Sequence, residues 1–110
     1  MKSSRTDHMI ISEMVEKSSR VLDVGCADGQ LLHLLKNIKN ISGQGIEINY
    51  DKVEICLKKG LSVVEGDANK EITSFPKNSF DYVILSQTLQ TVQKPSWILK
   101  EILRVGKKAI

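Results

Sequence analysis

A chain of 110 residues with 26% charged and 41% hydrophobic residues has the composition of a soluble globular protein, which excludes disordered and membrane-embedded classes. At this length one domain spanning residues 1–110 is expected, with folding burying somewhat under roughly 70% of the surface of the unfolded chain. The net charge of +3 comes mostly from scattered lysines (Lys36, Lys39, Lys52, Lys58, Lys59, Lys107, Lys108) interleaved with acids, so no basic stripe supports nucleic-acid binding, and no apolar run reaches bilayer length.

The N-terminal twenty residues lack the apolar core of a signal peptide, which points to a cytoplasmic protein. Asp7 is placed as the cap of a first helix with Met9, Ile10, Met14 and Val15 on one side. That helix is expected to cover a sheet edge or the mouth of a site. Arg20 to Val24 reads as the first strand; after the turn GCADG, Leu31, Leu34, Leu35 and Ile38 recur at helical spacing. Gly43 to Ile48 is a second strand, followed by Asn49 as N-cap and a helix carrying Val53, Cys56 and Leu57, with Gly60 just past its end. Leu61 to Glu65 is a third strand. Phe80 to Leu85 is nearly all apolar, as a central strand buried on both faces should be.

Pro95 suits the first turn of a last helix, whose buried face is predicted as Ile98, Leu99, Ile102 and Leu103, with Gly106 ending it. Ala109 and Ile110 then open a fifth strand. The alternation describes an α/β fold: a mostly parallel, Rossmann-like sheet with helices on both faces, whose C-terminal part is expected to lie beyond this sequence.

In open α/β sheets ligands bind beyond the carboxyl ends of the strands. The residues at those ends are Gly25–Gly29, Glu47 and Ile48, Gly66–Ala68, and Ser86 with Gln87. A glycine-rich turn alone is more often plain loop chemistry. Four small, polar or acidic ends at one sheet edge form a coherent site. A dinucleotide site wants G-x-G-x-x-G, but here Gly25 is followed by Ala27 and by Gln30 in place of the third glycine; no G-K-[ST] follows for a phosphate loop. The better match is a ligand containing a nucleoside and an amino acid without phosphate.

LDVGCADG, the acidic Glu47 and the GDA after the third strand resemble the successive motifs of the Rossmann-like S-adenosylmethionine-dependent methyltransferases. That resemblance implies S-adenosylmethionine as cofactor. Glu47 would accept the ribose hydroxyls and Asp67 the adenine amine, with Ile48 and Ala68 against the adenine. The amides of the turn that includes Gly25, Ala27 and Gly29 would face the methionine carboxylate. Within this group GIEI, GLSVVEGDA, FDYV and ILSQTLQTVQKP, with the closing LRVGKKAI, are similar to the MetW family of methionine biosynthesis proteins. The likeness runs from about Arg20 to the last residue and implies association with homoserine O-acetyltransferase. An active methyltransferase on an unknown small molecule is the alternative.

Individual residues divide between function and structure. Asp23, directly before V-G-C, is read as ordering the turn and meeting the ligand's ammonium group. Asp28 suits helix capping. Glu47 follows Ile46 in a strand, an expensive place for a charge without a partner. Cys26 is read as a small turn residue, since no histidine lies near it in sequence to act as base. Cys26 and Cys56, without metal-ligand spacing, are expected to be reduced thiols, and no metal is expected. His8 and His33 are assigned to solvated positions, and Tyr50 and Trp97 to packing. Gln87, Gln90 and Gln93 either position an acceptor or partner or cap the fourth strand. No nucleophile and base pair emerges, which suits methyl transfer, where alignment carries much of the rate.

Overall fold

The computed structural model describes residues 5–86 and 94–110. Five strands, β1 (Arg20–Val24), β2 (Ser42–Glu47), β3 (Val63–Glu65), β4 (Phe80–Leu85) and β5 (Gly106–Ala109), form one parallel sheet in the order β3-β2-β1-β4-β5. The helices are α1 (Arg5–Met14), α2 (Gln30–Lys39), α3 (Tyr50–Lys58), α4 (Ala68–Glu71, continued by a 3-10 turn over Ile72–Ser74) and α5 (Pro95–Val105). The chain builds outward from β1 through β2 to β3, then returns to place β4 on the other side of β1. This reversal opens a crevice at the carboxyl ends of β1 and β4, where open α/β sheets hold ligands.

Strand alternation divides the apolar residues between two cores. Val21 and Ile84 face Leu31, Leu32, Leu35 and Cys56 on one side of the sheet. Leu22, Val24 and Val83 face Ala68, Ile72, Ile98, Ile102 and Val105 on the other. Because β1 is covered on both faces, its residues 21–24 are all buried. Full burial of each large aliphatic side chain favours the fold by about 1.5–3 kcal/mol.

β1 and β4 have the predicted bounds, and Asn49 caps α3 by accepting from the Lys52 N–H at 3.2 Å. Gly60, at φ 79°, follows that helix as expected. Other expectations shift. β2 starts and ends one residue earlier than predicted, which leaves Ile48 outside it and 69% exposed. β3 is three residues long, with Leu61 buried before its start. β5 starts at Gly106 itself, where a side chain would strike Val83. α1 begins before Asp7, so Asp7 lies in its first turn rather than at its cap.

The helix faces are narrower than the spacing suggested. Leu32 replaces Ile38 in the buried face of α2, and Val105 rather than Leu99 or Leu103 completes that of α5. Leu57 of α3 and Met9, Ile10 and Met14 of α1 are exposed, while Ser12 is buried and donates to the Met9 carbonyl. An apolar stripe covers little more than 100° of a helix, so surplus apolar residues remain at its margins. On the second face Arg104 donates to the carbonyls of Ile72 and Phe75 while paired with Glu101, tying the segment before β4 to α5.

Candidate functional site

The turn from β1 to α2 alternates left-handed residues: Gly25 (φ 76°), Ala27 (φ 53°) and Gly29 (φ 82°). Glycine adopts this region freely, whereas alanine does so at a cost of roughly 1–2 kcal/mol. Ala27 is held there from three directions. Its N–H donates to Glu47 Oε1 at 2.8 Å, and its carbonyl accepts from the Cys56 thiol at 3.2 Å and, more weakly, from that of Cys26 at 3.9 Å. A side chain on Gly29 would meet Leu61 Cδ1 at 2.5 Å and Cys56 Sγ at 2.9 Å; one on Gly45 would meet Cys26 Sγ at 2.6 Å. The turn is thus packed directly onto β2 and α3.

Most of its amides are engaged within the protein. Gly25 and Cys26 donate to the Ile46 carbonyl, Ala27 to Glu47, Gly29 to the Cys26 carbonyl and Gln30 to Asp28 Oδ1. The expectation that the turn amides face a ligand carboxylate therefore does not hold for these five. Asp28 does serve the start of α2 as expected, from one position before Gly29, which occupies the N-cap.

Asp23 lies at the floor of the crevice, 1% exposed. Its Oδ1 accepts from the Ser86 hydroxyl at 2.6 Å, whereas Oδ2 is buried with no hydrogen-bond partner. Burial pushes its carboxyl up to about 7, the Ser86 bond opposing and the Glu47 charge adding to the rise. Glu47, also buried, uses Oε2 to accept from the Asn49 N–H at 3.0 Å. With one bond on each carboxylate oxygen, each retains capacity for a further donor. Asp67 caps α4 through Oδ1, which accepts from the Asn69 N–H at 3.0 Å.

Two cavities run along these residues. One, of about 350 Å³, is lined by Glu47, Ile48, Asp67, Ala68 and Asn69 among others. The second, of about 470 Å³, is lined by Asp23, Cys26, Asp28, Ser86 and His8 among others. Gly25, Ala27 and Lys52 line both, so the turn is their common wall. Gly29 lies behind that wall against Leu61 and shapes it without lining either cavity.

The structure thus gathers Asp23, Gly25, Ala27, Glu47, Ile48, Asp67, Ala68 and Ser86 on one sheet edge. It adds three residues that the sequence does not single out: His8, Lys52 and Asn69, whose Nδ2 is buried without a partner. His8 departs from the solvated position expected for it, because α1 packs against α2 and brings it to the second cavity. His33 is exposed, as expected. Trp97 packs against the second core, whereas Tyr50 is 58% exposed at the start of α3 rather than packed. Gln87, Gln90 and Gln93 lie outside the described residues.

Cys26 is buried and its thiol is pushed far above the usual range, mainly by desolvation. It packs in the first core and against Gly45, surroundings that disfavour the thiolate. Both cysteines are free, and among the described residues no cluster of three metal-binding side chains occurs. No helix among the described residues is long and apolar enough to cross a membrane.

Comparison with known proteins places this edge in context. The family model "Methionine biosynthesis protein MetW" matches residues 5–110. The bifunctional methionine biosynthesis protein MetXA/MetW of Rhodopirellula baltica is 35% identical over 94% of this chain. An S-adenosylmethionine-dependent methyltransferase from Archaeoglobus fulgidus superposes with a TM-score of 0.67 at 28% identity over 87% of the chain. The [4+2]-cyclase SpnF superposes with 0.78 at 27% identity over 89%. The chain spans 18% of the length of the R. baltica protein, 45% of the A. fulgidus chain and 39% of SpnF. On its sequence and its parallel, Rossmann-like methyltransferase fold, the chain belongs to the MetW family of methionine biosynthesis proteins.

Proposed function

We propose that this protein binds S-adenosylmethionine along the two cavities and acts with homoserine O-acetyltransferase in methionine biosynthesis. The observation that carries the ligand reading is Asp23 Oδ2, a buried carboxylate oxygen without a partner at the floor of the crevice. An unmet acceptor there is costly until a donor arrives, and the ligand's ammonium group is such a donor. Asp67, Ala68 and Ile48 line the cavity suited to adenine, and Glu47 lines the same cavity, bonded to the Ala27 N–H of the shared wall, with lone pairs left for the ribose hydroxyls. Gly25, Ala27 and Gly29 shape the wall, and Ser86 orients Asp23. Bound S-adenosylmethionine would supply an electrophilic methyl group on sulfur; the residues described here bind and orient it.

The R. baltica relative, named for both MetXA and MetW functions, supports the partnership. The second reading, methyl transfer to a small molecule, is favoured by the likeness to the A. fulgidus methyltransferase. SpnF, named a cyclase, shows that this fold does not by itself fix the reaction.

Calorimetry with S-adenosylmethionine and S-adenosylhomocysteine tests the site: binding lost on Glu47→Ala and Asp67→Ala supports it, and no binding by the unaltered protein rejects it. Co-purification with homoserine O-acetyltransferase and a rise in acetyl transfer on mixing support the partnership. Absence of association at micromolar concentrations rejects it, and methyl incorporation into metabolite pools instead supports the enzyme reading.

A further inference from the structure

An amino-acid ligand brings a carboxylate as well as an ammonium group, and the protein must answer both charges. Asp23 answers the ammonium. The carboxylate finds most of the turn already engaged, since the N–H groups of Gly25, Cys26, Ala27, Gly29 and Gln30 donate to protein acceptors and the remaining one belongs to the acidic Asp28. The start of α2 is no better: the Asp28 carboxylate stands there, with Oδ1 on the Gln30 amide and Oδ2 accepting from Gln30 Nε2 at 3.4 Å. A second carboxylate at that point would meet a like charge.

Side chains that can donate must take its place, and those lining the second cavity include His8, Lys52 and Gln30. Gln30 already donates to Asp28. Lys52 also borders the cavity of Glu47 and Asp67, toward the nucleoside end. His8 reaches the second cavity from α1, a separate element, and with Gln30 also lines a smaller recess beside Leu34. An imidazole carries an N–H donor whether neutral or charged.

We propose that His8 is the residue that reads the carboxylate of the bound amino acid, so that α1 supplies a specificity element to the site. This rests on the S-adenosylmethionine reading above. A ligand with both charges would then span from Asp23 on β1 to His8 on α1, and analogues lacking the carboxylate would lose the second anchor only.

The experiment is calorimetry on the full chain with two probes: S-adenosylhomocysteine and its decarboxylated counterpart, 5′-(3-aminopropylthio)adenosine, which keeps the ammonium group. The unaltered protein should prefer S-adenosylhomocysteine. His8→Ala should weaken S-adenosylhomocysteine about tenfold, leave the decarboxylated probe unchanged, and so collapse the preference. His8→Gln, which restores an N–H donor, should recover part of it. Lys52→Ala should weaken both probes alike. A His8→Ala protein that keeps the original preference overturns the proposal, as does a Lys52→Ala protein that loses it. If the unaltered protein binds neither probe, the ligand reading itself falls; if it binds both equally, only the role of His8 does.

Discussion

The turn after β1 and the turn after β3 both contribute to the site, yet they are built on opposite lines. In the first, five amides are bonded within the protein, three residues are left-handed, and Leu61 and Cys56 fill the space a side chain on Gly29 would need. In the second, Asp67 caps a four-residue helix that carries Asn69, whose Nδ2 is buried but unpartnered. One turn is a rigid wall whose shape is the message. The other offers polar groups that await a partner, so damage to the first should cost stability and damage to the second should cost affinity.

Gly29→Ala is the severest way to break the first turn. It forces a left-handed conformation on alanine and drives a methyl group into Leu61 and Cys56. A loss of about 3 kcal/mol is expected in urea denaturation. A loss below about 1 kcal/mol would show that the turn is softer than its packing implies.

Asp23→Asn comes next and has a sign set by pH. With its carboxyl raised to about 7, folded Asp23 holds a proton that the unfolded chain has released above its ordinary value near 4. Its contribution to stability is therefore full below that ordinary value and declines as pH rises to about 7. The substituted amide does not titrate, so the variant should gain on the original protein by up to roughly 4 kcal/mol at about pH 8 and hardly at all at about pH 4, in parallel denaturation curves. Equal effects at both pH values would mean that Asp23 is not desolvated as described.

Ala27→Gly should relieve the left-handed strain and stabilise the protein by about 1 kcal/mol, with the Glu47 contact kept because it uses the backbone N–H. A fall in melting temperature would contradict this. Asp67→Asn keeps the capping oxygen and should change stability by under about 0.5 kcal/mol. It should nonetheless weaken S-adenosylhomocysteine about tenfold by calorimetry, because an amide is a poorer acceptor for the adenine amine. If it costs stability and spares binding, the contrast between the two turns is reversed.

Much of this contrast is legible in the sequence, and what is not has physical causes. Asp23 and Glu47 stand out as charges beside apolar strand residues, and β1 and β4 are readable because a strand buried on both faces is a short apolar run bounded by polar residues. The conformation of Ala27 is foreshadowed by its place between glycines. Helix faces are less secure: Ile38, Leu99 and Leu103 keep helical spacing but lie off the centre of the packed stripe, and only the partner surface decides that. His8 and Lys52 carry no local signal, since their approach depends on how α1 and α3 pack. The engagement of the turn amides is equally hidden, because it rests on the Ile46 carbonyl and Glu47, some twenty residues away.

The strand order has a consequence for how the protein comes into being. β1 pairs with β4 across sixty-one positions, Val21 against Tyr82, and the bond from Ser86 to Asp23 spans sixty-three. At a synthesis rate of about 5–20 residues per second, Asp23 waits roughly 3–12 s on the ribosome for the hydroxyl that orients it. During that interval the half-sheet of β1, β2 and β3 presents an unpaired inner edge, and the crevice has no finished floor. The floor of the crevice is thus completed only when β4 closes against β1, and until then the free edge of β1 is open to misplaced pairing.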